Sequence, residues 1–367
     1  MKQLYLDFIY LISCSINEYS IDTKRIKKIN INELYELSKD HQVVVIVNKA
    51  LEEANIFNNN FKQASDKALR KKILFNVERE SILKDFEENK IWNVPLKGCE
   101  LEKYYPHFSM RQMGDNDIFF DAKKRDQARS IMENHKYEVV HFNENNHDIY
   151  HKNPALNFEL HTELFDRTMY LEYCEYYKNI ESKLLKDDNK KYGYHFSDED
   201  FYIFITLHEC KHYYLSGVGI RSLIDCYLFL KEKKDTLNWK YVKEELNKLG
   251  ILDFEKQRRK LSNKLFSKYK ISKLTDDEIE MLNHYMTSGA SGTFENFINI
   301  QLKNESKLTF WIKNIFVPME KMNRSVPFTA KSKLLYPVGV VWRCLRMIIR
   351  NNKYILNTMK VVRKYDK

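Results

Sequence analysis

Asp115 and Asp117 stand two positions apart in RQMGDNDIFF (residues 111–120) and run into Ile118, Phe119 and Phe120. That apolar run begins a strand, and residues two apart on a strand point to the same face. Two carboxylates on one face repel each other, which costs free energy until a cation sits between them. Oxygen ligands of this kind suit Mg²⁺ or Mn²⁺. A third acid lies in NFELH (residues 157–161), where polar and apolar residues alternate. On a strand, Glu159 and His161 share the face opposite Phe158 and Leu160. If that strand lies beside the one carrying Asp117, Glu159 completes a three-carboxylate metal site. His161 is then either at its edge or a satisfied structural histidine.

Upstream, VPLKG (residues 94–98) reads as a short strand ending in a cationic, glycine-containing turn, and Cys99 to Tyr105 opens a helix. A helix start beside a lysine is a natural phosphate site, which makes Lys97 and Gly98 candidates for holding one. Arg111 offers a planar fork that clamps phosphate, against the plainer reading of a surface residue beside a turn. Gly114 permits a tight turn and a close approach of ligand to backbone. An isolated Asp-x-Asp pair is commonly a solvated turn. The three segments LKG, RQMGDND and FELH carry weight together.

In this order and at these separations, the segments resemble the nucleotidyltransferase superfamily related to DNA polymerase beta. More closely, they resemble its bacterial branch of uncharacterised nucleotidyltransferases. Residues 34–56 (LYELSKDHQVVVIVNKALEEANI) resemble that branch's N-terminal helices. Residues 207–230 (LHECKHYYLSGVGIRSLIDCYLFL) resemble its later helical segment, with a histidine pair and then an Arg…Asp helix. The likeness extends over about two-thirds of the chain. The wider superfamily usually has Gly-Ser in the phosphate turn; here, as in the narrower branch, it is Lys97-Gly98.

The resemblance implies in-line transfer of a nucleoside monophosphate from an NTP, ATP among them, to an acceptor, with release of pyrophosphate. On that reading Asp115, Asp117 and Glu159 hold Mg²⁺ or Mn²⁺ and are catalytic, Glu159 helping to deprotonate the acceptor hydroxyl. Lys97, Gly98, Arg111 and Gly114 bind the nucleotide. The acceptor stays open: a small molecule, a peptide or a protein, with nucleic acid less favoured. A non-catalytic nucleotide-binding protein of the same fold is the alternative from another class.

A rival motif lies further on. His208-Glu209-Cys210-Lys211-His212 matches H-E-x-x-H, which on a helix sets two histidines on one face for zinc and a glutamate as general base. Glu232 is the acid available downstream as a third ligand. A five-residue pattern is short, and this zinc metalloprotease reading leaves Asp115, Asp117 and Glu159 without a purpose. The plainer reading is two histidines facing another helix or the rim of a cleft. Arg221 and Asp225, one helical turn apart, either pair with each other or face that cleft.

The elements that must position these residues follow from periodicity. The chain has 367 residues, 43% hydrophobic and 31% charged, with only 9 glycines and 6 prolines. Scarce helix breakers argue for a largely helical protein. Residues 1–90 read as a helical region, with Leu4, Phe8, Leu11 and Ile12 at helical spacing and Val43–Val47 inside a buried helix. A long amphipathic helix from Phe61 to Asn89 is expected to turn Leu69, Ile73, Val77, Ile82 and Phe86 toward the core. Residues 91–168 form an α+β core, with strands at 91–96, 117–120, 137–142, 148–151 and 157–161. A helix at 123–134 faces the sheet through Ala128, Ile131 and Met132. Residues 169–367 read as helix after helix, one of them starting at Ser197-Asp198-Glu199-Asp200. The fold class is therefore α+β, a small mixed sheet embedded in a mostly helical chain.

The net charge of +10 is read as a solvated basic surface ahead of a nucleic-acid footprint, because no cluster shows aromatic interleaving. Six cysteines without CxxC spacing suit buried, reduced thiols in a cytoplasm. No apolar run is long enough to span a bilayer, and the N-terminus lacks the pattern of a signal peptide. The basic, apolar-striped segment from Lys331 to Lys367 is expected to pack as a terminal helix pair, ahead of lying on a membrane surface.

Overall fold

Alternating apolar residues resolve into a five-stranded mixed sheet inside a largely helical chain, an α+β fold. The computed structural model describes residues 2–268, 273–290, 292–350 and 352–365. Five helices come first: α1 (Gln3–Asn17), α2 (Thr23–Ile26), α3 (Ile31–Asp40), α4 (Val44–Glu53) and α5 (Asn59–Glu88). The sheet segment follows as β1 (Asn93–Pro95), α6 (Gly98–Leu101), β2 (Asn116–Phe120), α7 (Arg125–Asn134), β3 (Glu138–His141), β4 (His147–Lys152) and β5 (Leu156–His161). After α8 (Leu171–Tyr176), a hairpin of β6 (Leu184–Lys186) and β7 (Tyr194–Phe196) precedes α9 (Asp198–Leu215). Four helices come next: α10 (Ile220–Lys233), α11 (Trp239–Lys248), α12 (Leu252–Phe266) and α13 (Asp276–Ser288). The last five are α14 (Phe294–Asn304), α15 (Lys307–Ile315), α16 (Met319–Ser325), α17 (Tyr336–Arg350) and α18 (Asn352–Lys364).

The chain forms two compact units, Met1–Cys210 with Gly219–Ala290, and Lys211–Val218 with Ser291–Lys367. In the first, the strand order is β1-β2-β5-β4-β3, with β2 and β5 parallel and every other neighbour antiparallel. One face of the sheet is apolar. Ile118, Phe120, Phe158 and Leu160 join Phe75, Ile82 and Phe86 of α5 and Ala128, Ile131 and Met132 of α7 in a single core. Each of these large side chains contributes about 2 kcal/mol through burial, so this layer holds the sheet against the two helices. The opposite face is left for Asp117, Glu159 and His161.

Two sequence expectations need correction. In α5, Ile82 and Phe86 are buried as expected, but Leu69, Ile73 and Val77 are exposed. The helix turns Phe61, Phe75 and Lys72, which pairs with Glu102, inward instead. In the second unit, Val340 and Val362 are buried, yet Leu334, Val341, Leu345, Ile348 and Ile349 lie exposed. The terminal helices therefore pack as expected through Val340 and Val362, but α17 leaves its apolar stripe uncovered. No described helix is long and apolar enough to cross a membrane. All six cysteines are free, five of them buried.

His41 ties α10 and α13 together from the loop after α3. Its Nδ1 accepts from the backbone N–H of Ile220 (3.3 Å), and its Nε2 lies 3.3 Å from the carbonyl of Met286. Both contacts hold only for the neutral ring with its proton on Nε2. Burial accordingly pushes the imidazole down from 6.5 to about 4. A histidine kept neutral on folding stabilises fully above its unfolded value and loses that stability as pH falls toward its folded one. Urea unfolding at pH 7 and at pH 5 should therefore differ by about 2 kcal/mol more in the wild type than in His41→Asn. Equal pH slopes for the two proteins would contradict this assignment.

Candidate active site

The parallel pairing of β2 with β5 sets Asp117 directly beside Glu159, and Phe119 beside His161. Because side chains alternate, the neighbours with apolar side chains (Ile118, Leu160) point into the core while the acids point away from it. One oxygen of Asp117 receives two donors, Lys97 Nζ at 2.6 Å and His161 Nε2 at 2.8 Å. Glu159 stands 3.6 Å from the same imidazole nitrogen and 3.8 Å from Nε2 of His147. Asp117, Glu159 and His161 place one ligand atom each within 4.8 Å of one another, a geometry that admits a metal ion. His161 Nδ1 is buried without a hydrogen-bond partner. Two carboxylates and an imidazole whose Nε2 faces both of them fit a divalent cation as donor set.

Lys97 reaches Asp117 from the turn after β1. Its backbone sits at φ 46°, ψ −105°, a strained conformation for a non-glycine residue that costs about 1–3 kcal/mol. The edge pairing of β1 with β2, extended by the bond from the Leu96 N–H to the Asp117 carbonyl (2.9 Å), holds the turn there. Gly98 follows for steric reasons. A Cβ at this position would come within 2.7 Å of both Arg111 Nη1 and Met113 Sδ.

The electrostatics separate the two aspartates. Burial works against the charge of Asp117, but Lys97 and His161 outweigh it and hold the carboxyl well below the usual range. Asp115 lies just before β2 without those donors; burial and the neighbouring charge of Asp117 push it up to about 6. Burial also opposes the charge of Lys97 and of His161, and in each the acids prevail and raise the value. Glu159 is lowered despite burial, through its contact with His161. Asp117 and Glu159 thus stay ionised side by side while Asp115 is disfavoured as an anion, a repulsion that a bound cation would relieve.

The remaining sequence candidates are placed as follows. Arg111 is buried and turned to α10, where Nε and Nη2 donate to the two oxygens of Asp225 (2.8 and 2.9 Å). Tyr105 Oη donates to the same carboxylate at 2.6 Å. The fork is thus engaged by a carboxylate, and its third nitrogen props the Gly98 turn from behind. Asp225 pairs with Arg111, not with Arg221. Gly114 has no atom within 4 Å of where a Cβ would stand, and its φ is not left-handed, so it leaves open space beside the acids.

Of three further groups at this face, Lys71 and His147 were not singled out from sequence, and Arg221 was expected either to pair with Asp225 or to face the cleft. Lys71 of α5 donates to the Gly114 carbonyl at 3.3 Å, and burial lowers its ammonium while the charge of Asp115 opposes that shift. Arg221 of α10 donates to the Gln112 carbonyl at 2.6 Å and also binds the Gln42 side chain. Burial and the charge of Arg111 lower its value; Asp115 is among the acids that oppose this. His147 sits opposite His161 on β4, ring centroids 4.9 Å apart. Its alternation within His147–Lys152 is the one signal that could have found it.

The H-E-x-x-H segment has no such arrangement. Glu209 is buried, its carboxylate 2.6 Å from Arg258 Nε and accepting from Tyr285 Oη at 2.6 Å. A carboxylate neutralised in the helical core cannot serve as general base to a metal-bound water. Glu232 is exposed at the end of α10. Among the described residues, Asp117, Glu159 and His161 form the group of three with metal-ligating geometry, and the motif histidines form none.

Comparison with known proteins gives the family. A family model described as an uncharacterised nucleotidyltransferase matches residues 27–267, which contain the whole sheet and every residue of the face just described. No curated protein and no solved structure matches the chain.

Proposed function

Because the chain belongs to this family of uncharacterised nucleotidyltransferases, we propose that it transfers a nucleoside monophosphate from an NTP to an acceptor nucleophile and releases pyrophosphate. The observation that carries the reading is the register pair Asp117–Glu159, flanked by Asp115 and closed by Lys97 on one carboxylate oxygen. Asp115, Asp117 and Glu159 are assigned to hold Mg²⁺ or Mn²⁺, with His161 offering a nitrogen at the same place. When bound, the cation stabilises charge on the attacking and leaving oxygens.

The chain's own residues supply the rest. Lys97 and the Gly98 turn take the phosphates, and Lys71 and Arg221 add cationic charge beside the open space at Gly114. Arg111 is a positioning residue that fixes the turn. Glu159, the most exposed acid of the metal-ligating trio, accepts the proton of the acceptor hydroxyl. Catalysis on this plan is orientation and charge neutralisation, as in other phosphoryl and nucleotidyl transfers.

Calorimetric titration with each NTP in the presence of Mg²⁺ or Mn²⁺ tests the assignment. Binding should require the metal, vanish in Asp115→Asn/Asp117→Asn, and weaken roughly tenfold or more in Lys71→Ala and in Arg221→Ala, each of which loses a charge-assisted contact. Nucleotide binding that ignores both the metal and the two aspartates would overturn it.

A further inference from the structure

The basic charge of this chain is not evenly distributed. Residues 291–367 hold 15 Lys and Arg against 4 Asp and Glu, a net of +11, whereas the whole chain carries +10. The preceding 290 residues are thus nearly balanced. From Lys321 to Tyr365 there are eleven basic residues and no acidic one.

The same segment carries an apolar face that no part of the described chain covers. In α17, Val338, Val341, Trp342, Leu345, Ile348 and Ile349 recur at helical spacing on one side. They are 49% to 76% exposed. The helix is anchored by its other flank, where Val340 packs with Val317, Met322 and Val326. Arg343 and Arg346 donate to the carbonyls of Asn314 (2.7 Å) and Ser325 (3.2 Å), contacts that leave their charge intact. Arg350 is exposed at the end of the helix.

We propose that the second unit docks peripherally on an anionic lipid bilayer, with α17 lying in the plane of the interface. Each half of the surface finds its complement there: the aliphatic stripe and Trp342 enter the acyl boundary, and the arginines meet anionic headgroups. A nucleic acid would satisfy the charge and leave the stripe in water. A second copy would bring +11 against +11. A helix of 15 residues is too short to cross, which restricts it to lying along the surface.

The test uses the full chain and vesicles of phosphatidylglycerol with phosphatidylcholine, against vesicles of phosphatidylcholine alone. The protein should sediment with the anionic vesicles only and detach at high salt. Its fluorescence should shift to the blue, and the Trp342→Phe variant should lose that shift. Arg343→Gln/Arg346→Gln/Arg350→Gln should lower partitioning about a hundredfold. Leu345→Asn/Ile348→Asn/Ile349→Asn should abolish it at unchanged charge; circular dichroism checks that both variants remain folded. Three results overturn the proposal. One is failure to sediment with anionic vesicles. Another is an asparagine variant that binds like wild type or is competed by RNA, as a charge-only surface would be. The third is a wild-type dimer that the asparagine variant converts to monomer without any lipid.

Discussion

Asp117→Asn should reduce nucleotide turnover on the order of 10³-fold or more and leave a folded protein. The asparagine keeps an oxygen that can accept from His161, so the hydrogen bond at 2.8 Å has a substitute. What disappears is the charge. Lys97 loses its nearest counter-ion, and Glu159 and His161 are left as a pair with far weaker attraction for a divalent cation. Manganese paramagnetic resonance should show binding weakened at least about a hundredfold, alongside loss of pyrophosphate release from NTP. The melting point should fall, because the Lys97 side chain, only 19% exposed, keeps just Asp115 and Glu159 as nearby acids, and far-UV circular dichroism checks that the variant stays folded. Retention of full pyrophosphate release by this variant would sink the assigned mechanism, whichever acceptor is used.

Glu209→Ala should lower stability by about 3–5 kcal/mol without altering metal content. The substitution leaves the Arg258 guanidinium, 1% exposed, buried without this carboxylate, and removes an acceptor of Tyr285. Removing both charges in Glu209→Ala/Arg258→Met should be less damaging than the single change, since no uncompensated charge stays behind. For a unit of this size the single variant should melt roughly 10 °C lower. If Glu209→Ala instead melted like wild type and lost stoichiometric zinc, the protease reading of His208 and His212 would return.

The strands were legible because their alternation is local. A period of two places Phe158 and Leu160 on one side and Glu159 and His161 on the other, and β5 forms with that division. The turn at Lys97-Gly98 was legible for a similar reason, since lysine and glycine are adjacent in the chain. Lys71 and His147 were not, because each arrives from an element whose docking no local pattern encodes, and Arg221 was placed only as one of two alternatives. Arg111 illustrates the limit. Its neighbours in sequence suggested a phosphate, while its partner, Asp225, lies 114 residues away. In α5 Leu69, Ile73 and Val77 suggested one phase while Phe61 and Phe75 follow another, and a 30-residue helix offers several phases with similar counts. The basic segment from Lys331 onward was visible in sequence, but the near balance of the rest of the chain emerges only once the boundaries of the two units are known.

The parallel pairing of β2 and β5 also guards the site against misassembly. The two strands are separated by a long excursion through α7, β3 and β4, so no tight turn sets their alignment. A slip of one residue would invert β5, pressing Glu159 and His161 into the oily layer and turning Phe158 and Leu160 outward toward Lys97. Such a chain would lose its hydrophobic layer and its acidic face in the same event. The aromatic side of the sheet thus acts as proofreader for the other: molecules that reach the stable fold have, by that fact alone, aligned their carboxylates.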